Sequence, residues 1–263
     1  MVVAGNRCQA SAQREYRMAG QTNRVFYGWY VVIGCSLVAL GTSGTQFSFG
    51  VFLQPMTEEF GWSRSTLSLA FGITFMLSGL MRPLAGYLAD RYNPKLVVLS
   101  GVVILGVMLL VVPSVESLLQ LYAVFAVMSI GLTMGVGPIL TKVISAWFYA
   151  HRGLTLGLNS SAGSFGALIL VPTASVFLIL FDWRDAYYFL GCLALLVILP
   201  VGFLFIRNTP QEMGLEPLGD TSDLRRRRGT GGEDSTPLFG RDATFKQALG
   251  SNLFYRLTFG YFV

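Results

Sequence analysis

The chain of 263 residues is poor in charge, in histidine and in paired cysteine. Only 13% of its residues are charged against 53% hydrophobic, where a soluble domain carries about 25% charged residues. An ordinary water-solvated globule is thereby excluded, and most of the outer surface must face lipid. His151 is the sole histidine, and Cys8, Cys35 and Cys192 are far apart with no CxxC pair. Such an inventory offers neither a zinc site nor a disulfide framework, and no GxSxG elbow or thiol stands near His151 to build a hydrolase. No enzyme, metal or cofactor is expected. The net charge of +5 does not imply nucleic acid, because the basic residues sit in loops between apolar runs and not along one interleaved stripe.

What the chain has in abundance is long apolar runs. A crossing of about 30 Å of hydrocarbon takes roughly 20 helical residues, and six stretches qualify: residues 29–53, 65–89, 96–112, 118–146, 153–180 and 186–206. Another run starts near Phe254 and is followed only to Val263. The 30 glycines fall largely inside these runs, where helices must approach closely in lipid.

Short cytoplasmic loops retain Lys and Arg, which orients the chain. Arg7, Arg14, Arg17, Arg24, Arg91, Lys95, Arg152, Arg207, the tract Arg225–Arg228, Arg241 and Lys246 fall on one side, and only Arg64 and Arg184 on the other. The N-terminus is therefore expected in the cytoplasm of a multi-pass protein of the cell (inner) membrane. Residues 1–26 are expected to form a polar cytoplasmic arm, followed by an apolar run too long for a signal-peptide core, and 27–207 the six-helix bundle. Residues 208–250 change to Pro, Gly, Thr and acidic residues around RRRR, a composition expected to give a flexible cytoplasmic linker. Its basic tract serves as a positive-inside anchor or touches anionic headgroups. Residues 251–263 begin a seventh helix.

Between the second and third runs lies the polar hinge GYLADRYNPK, Gly86 to Lys95. Asp90 and Arg91 arrive as the second helix leaves the membrane, and Pro94 prevents simple continuation into the third. An acid so placed can accept hydrogen bonds from the N-terminus of another helix, whose partial positive charge favours it. The hinge resembles the signature loop of major facilitator superfamily transporters, roughly G-x-x-x-D-R-x-G-R-K, with Asn93 in place of the glycine and Pro94 in place of the first base. That resemblance implies a gating latch that holds the cytoplasmic ends of two six-helix halves together, with Gly86, Asp90, Arg91, Lys95 and also Arg152 as gating residues.

A second resemblance narrows the family. YGW at Tyr27 to Trp29, FSFGVF at Phe47 to Phe52, FGWSRS at Phe60 to Ser65 and AWFYAHRGLTLGLNSSAGSFG at Ala146 to Gly166, together with DWRDAYYFLG, TPQEMGLEP and KQALGSNLFYRL, are similar to segments of monocarboxylate porters and oxalate/formate antiporters. The implied fold is all-α, the six-helix N-terminal half of a twelve-helix major facilitator fold with the start of helix seven, its C-terminal six-helix half absent from this chain. The implied activity is secondary transport of small organic anions, mono- or dicarboxylates, by alternating access, with a proton as candidate coupling ion.

Residues within the runs point the same way. TSGTQFS at Thr42 to Ser48 puts hydrogen-bonding groups in mid-helix, where they must face partners or a cavity. Thr45, Gln46 and Phe49 are candidates to line a substrate path, and helix packing is the alternative for each. Arg82 lies two turns before Asp90, about 12 Å along the helix, with a guanidinium suited to fork onto a carboxylate. Snorkelling to the interface or pairing with a carboxylate of another helix is its alternative. Lys142 is expected to snorkel. Gly131, Gly135, Gly137 and Pro138 mark either a bend around a site or close packing, and Asn159 joins the substrate candidates from the fifth helix. Charges at the ends of the second helix (Asp90, Arg91) and the fifth (Asp182, Arg184, Asp185) suggest two inverted three-helix repeats. A six-helix channel subunit is the competing reading, and it should show a filter or a ring of like charges.

Overall fold

Helix α1 (Tyr27–Phe60) runs 34 residues without a break despite Pro55 inside it. At 1.5 Å per residue it is about 51 Å long, more than a hydrocarbon core needs, so its last turns project beyond the crossing. Gly61, at φ 67°, closes it. Ser63 then caps α2 (Arg64–Arg91) by accepting from the Thr66 amide, and Asn93 caps α3 (Pro94–Val111) by accepting from the Lys95 amide, with Pro94 in the first helical position where a missing N–H costs nothing. A 3₁₀ turn, Val112–Ser114, ends that crossing.

The fourth crossing is made in two pieces, α4 (Leu118–Gly135) and α5 (Pro138–Trp147). Gly137 joins them at φ 77°, a conformation that side chains rarely adopt. The fifth is α6 (Arg152–Leu180). The sixth comprises α7 (Trp183–Cys192), a wider π-helical stretch Leu193–Ile198, and α8 (Leu199–Phe205). Pro200 has no N–H to offer the preceding turn, which accounts for the helix widening there. These are six crossings, and their ends lie within a few residues of those expected except at the far end of α1. The computed structural model describes residues 26–135, 137–149, 151–215 and 218, all helix and connecting turn but for one backbone bridge. The expected cytoplasmic arm, the basic tract and the start of a seventh helix lie outside the described residues.

Two apolar clusters fill the bundle. One gathers Val31, Cys35, Val98, Val143, Trp147 and Phe148 at the hinge end; the other gathers Phe52, Leu67, Leu105, Phe125, Trp183 and Tyr187 at the end bearing Arg184. Along α1 they are separated by residues 41–48, small or polar except for the outward-facing Phe47. There α1 meets α6 backbone to backbone: a Cβ on Gly44 would stand 2.5 Å from the Gly166 carbonyl oxygen. Glycine is therefore required at this crossing, as in close helix pairs in lipid.

The last described segment is the start of the stretch expected as a linker. Residues 208–215 and Leu218 fold back across the hinge end of the bundle. Trp147 donates its indole N–H to the Arg207 carbonyl at 3.0 Å, and Leu218 pairs with the strand-like residues after α5, donating to Trp147 O and accepting from Tyr149 N, both at 3.0 Å. A 3₁₀ turn, Pro210–Met213, closed by Gly214 at φ 67°, shapes the strap. Leu215 and Leu218 pack against the hinge-end cluster, and burial of such side chains offsets the loss of chain entropy.

Candidate functional site

Two places in the bundle collect the residues singled out from sequence. The first is a narrow cavity bounded by Thr45, Gln46 and Phe49 of α1, Phe71 and Thr74 of α2, and Tyr187 of α7, with aliphatic residues of α3 and α4 closing it. Phe49 stacks on Phe71 at 4.9 Å and meets the edge of Phe125 at 5.0 Å. Thr45, Gln46 and Phe49 thus share one space. The Thr45 hydroxyl, however, donates to its own helix at Gly41 O, 2.8 Å away, and Thr42 does the same to Val38 O at 2.7 Å. Such back-bonding is the usual way for a hydroxyl to be satisfied inside an apolar helix.

Further hydroxyls join α2 to α4. Thr74 reaches Phe125 O at 3.4 Å, Ser78 reaches Ser129 O at 3.3 Å, and Thr133 reaches Ser78 O at 3.3 Å. Asn159 of α6 is buried, and among the described residues its Oδ1 has no partner. It does not line the cavity described above.

Arg82 stands on the open side of α2, exposed, and among the described residues it makes no hydrogen bond or ion pair. The carboxylate on another helix considered as its alternative partner is not found among the described residues. Of the six crossings, α2 and α6 are the most open: 22% and 17% of their apolar windows are buried, against 53% or more for the first, third and fourth. Both therefore leave a broad face uncovered by this bundle.

The second place is the hinge end. Lys142 of α5 points its Nζ at Asp90 Oδ1, 2.5 Å away, and at the Ala89 carbonyl, 3.0 Å away. This corrects the expectation that Lys142 snorkels, and it places a side-chain cation where a helix N-terminus was expected to meet the acid. Lys142 sits in the first turns after the Gly137 joint, which turns α5 so that its apolar face packs inward and Lys142 reaches the end of α2. Sequence alone gave no sign of the pair because 52 positions separate the two residues.

Other hinge residues have structural partners. Lys95 is buried, donates from Nζ to Phe203 O at 2.6 Å and lies over the Phe203 ring at 4.5 Å. Its amide is shared between Asn93 Oδ1 and Asn208 Oδ1, at 3.0 and 2.9 Å. Lys95 therefore ties α3 to α8 and to the strap. Arg152, at the start of α6, donates from Nη2 to Ser145 O at 2.9 Å and from Nε to Phe148 O at 3.0 Å, so it satisfies carbonyls left open at the end of α5. Arg91 is exposed, and at Gly86 there is open space for a side chain.

One cluster was not anticipated. At the opposite end of the bundle Glu59 receives both arms of the Arg184 guanidinium, Nη2 to Oε1 at 2.5 Å and Nη1 to Oε2 at 3.0 Å, and also the Trp183 indole N–H at 2.5 Å. Asp182 and Asp185 form a capping box on α7. The acidic residue at the end of α1 was the only available signal, and it gains meaning only once α1 overshoots the crossing. Among the described residues no cluster of His, Cys, Asp and Glu suits a metal ion.

Comparison with known proteins gives this geometry a context. Residues 34–263 match the family model of the Major Facilitator Superfamily. The chain is 28% identical over 183 residues to the uncharacterized MFS-type transporter YcxA of Bacillus subtilis, covering 69% of this chain and 45% of that protein. It is 24% identical over 180 residues to the oxalate:formate antiporter of Oxalobacter formigenes, covering 67% and 42%. A crystal structure of a bacterial homolog of the human lysosomal transporter Spinster, inward-facing and unoccupied, superposes with a TM-score of 0.64 at 19% identity, covering 87% of this chain and 49% of that one. The chain thus spans less than half the length of each of these proteins.

Proposed function

Since the chain belongs to the Major Facilitator Superfamily, we propose that it supplies one six-helix half of a secondary carrier for small organic anions, mono- or dicarboxylates, working by alternating access. The observation that carries the reading is Arg82, an exposed guanidinium on a membrane-length helix with no partner among the described residues. A charge at such depth is costly unless it faces water, a counter-ion or protein, and a planar fork of donors suits a carboxylate. One relative, the oxalate:formate antiporter of Oxalobacter formigenes, is named for both a dicarboxylate and a monocarboxylate.

In this reading the open faces of α2 and α6 meet a second six-helix half, and the anion sits between the halves, as in carriers that rock about a central site. Thr45, Gln46, Phe49 and Asn159 are the further candidates on this half. The hinge end faces the cytoplasm, and the Asp90–Lys142 pair with Arg91 biases which side is open. Gly86 leaves room there for the partner half, while Lys95 and Arg152 keep the ends of α3 and α5 rigid so that the latch moves as one piece. A proton is the candidate coupling ion.

The test is counterflow by the full-length gene product in proteoliposomes with labelled formate, oxalate and larger carboxylates. Saturable exchange of carboxylates, weakened in Arg82→Gln, is expected. Exchange that is unchanged in Arg82→Gln removes the anion-binding role, and conductance without counterflow favours a channel.

A further inference from the structure

Tyr187 enters the bundle from α7, one turn after the Trp183 that Glu59 holds. Its ring packs on Phe52 at 4.3 Å and on Trp183 at 6.1 Å. The residue is 2% exposed, and its buried hydroxyl finds no hydrogen-bond partner among the described residues. A hydroxyl in an apolar interior is rarely left in that condition, because the desolvation cost is not returned.

The cavity that Tyr187 borders also receives Gln46, Thr45 and Thr74. Gln46 is half-buried, and among the described residues its carboxamide makes no hydrogen bond. Thr45 donates to Gly41 O and Thr74 to Ala70 O, at 2.8 and 3.1 Å, so each oxygen keeps acceptor capacity. The space admits on the order of one water molecule, and a buried water needs two to four polar partners.

We propose that one water is bound inside the bundle between the Tyr187 hydroxyl and the Gln46 carboxamide, with the Thr45 and Thr74 oxygens as additional acceptors. No cationic side chain lines the site, so water fits it without the counter-charge that a carboxylate reaching Thr45 and Gln46 would have to find outside this lining. It is too small for a second polar molecule, and the remaining lining is apolar. The water links the middle of α1 to the start of α7, and it stands whether or not the bundle carries anions.

The full chain, purified in detergent or nanodiscs, provides the test. Thermal midpoints are compared for the parent, Tyr187→Phe, Gln46→Leu and the double variant. Each single change is expected to lower the midpoint by a few degrees, and the double variant by less than the sum. A higher midpoint in Tyr187→Phe means an orphan hydroxyl has been removed, and additive losses mean that nothing is shared; either result overturns the proposal. Direct contact between the two side chains would also couple them. The tyrosine Raman doublet of Tyr187, isolated by subtracting Tyr187→Phe within the Gln46→Leu background, separates the cases: a hydrogen-bonded phenol is expected, since the water keeps its threonine partners, and a free phenol overturns the proposal.

Discussion

Lys142 and Asp90 meet at 2.5 Å across the ends of α5 and α2, and the same ammonium also holds the Ala89 carbonyl at 3.0 Å. Because Lys142 follows the Gly137 joint, the pair fastens the shorter, separately oriented half of the fourth crossing to the hinge. Its side chains are 47% and 72% exposed, so in water it adds only about 0–1 kcal/mol to stability. Its effect should appear in conformation.

Asp90→Asn and Lys142→Met are each expected to leave the thermal midpoint nearly unchanged. Both should raise the reaction rate of a cysteine placed at Tyr92 with a membrane-impermeant maleimide, and the exchange Asp90→Lys with Lys142→Asp should restore the parent rate. Equal rates in all four proteins would remove the gating role.

Arg82→Gln should raise the KM for carboxylate exchange at least about tenfold, the loss expected for one charge-assisted hydrogen-bonded contact of roughly 1.5–3 kcal/mol. Arg82→Lys should recover part of the affinity, since the charge remains and the fork is lost. Initial exchange rates across a concentration series check both.

At the other end, Glu59→Ala should destabilise the protein by about 1–3 kcal/mol, because the buried Trp183 indole loses its acceptor. The Arg184 pair, with side chains 35% and 39% exposed, contributes little of that. Glu59→Gln retains an acceptor for Trp183 and should be milder. Urea or thermal unfolding of the three proteins in one detergent gives the ordering.

Gly166→Leu should prevent accumulation of folded protein, since a side chain there runs into the main chain of α1 at Leu40. Gly163→Ala, one turn earlier and opposite only the Ser43 side chain at 3.1 Å, should be tolerated. Size-exclusion profiles of fluorescent fusions distinguish the two.

The six crossings were legible because each is a long apolar run with Gly, Pro, Ser or Asn at its ends, and those signals are local. The joint in the fourth crossing was legible only as one of two alternatives, a bend or close packing, at Gly131, Gly135, Gly137 and Pro138. Pairings that depend on how helices cross were not: Lys142 with Asp90, and Glu59 with Arg184 and Trp183, join residues 52 and more positions apart. The strap was not legible because Thr209, Pro210 and Gly214 look like linker residues, while its anchors are main-chain groups with no sequence signature. Thr45, Gln46 and Phe49 were singled out from the polar run in mid-helix and border one cavity, but their shared neighbour Tyr187 comes from the sixth crossing and carried no local mark.

The strap also sets an order of assembly. The corner after α5 is completed by Leu218, which follows α6, α7 and α8 in the chain and is therefore made after all three. Trp147 gains the Arg207 carbonyl for its indole first, and its own carbonyl waits for the Leu218 amide. Chains that stop before Leu218 should therefore leave the corner at Trp147–Tyr149 unfinished, with the Trp147 carbonyl and the Tyr149 amide unpaired.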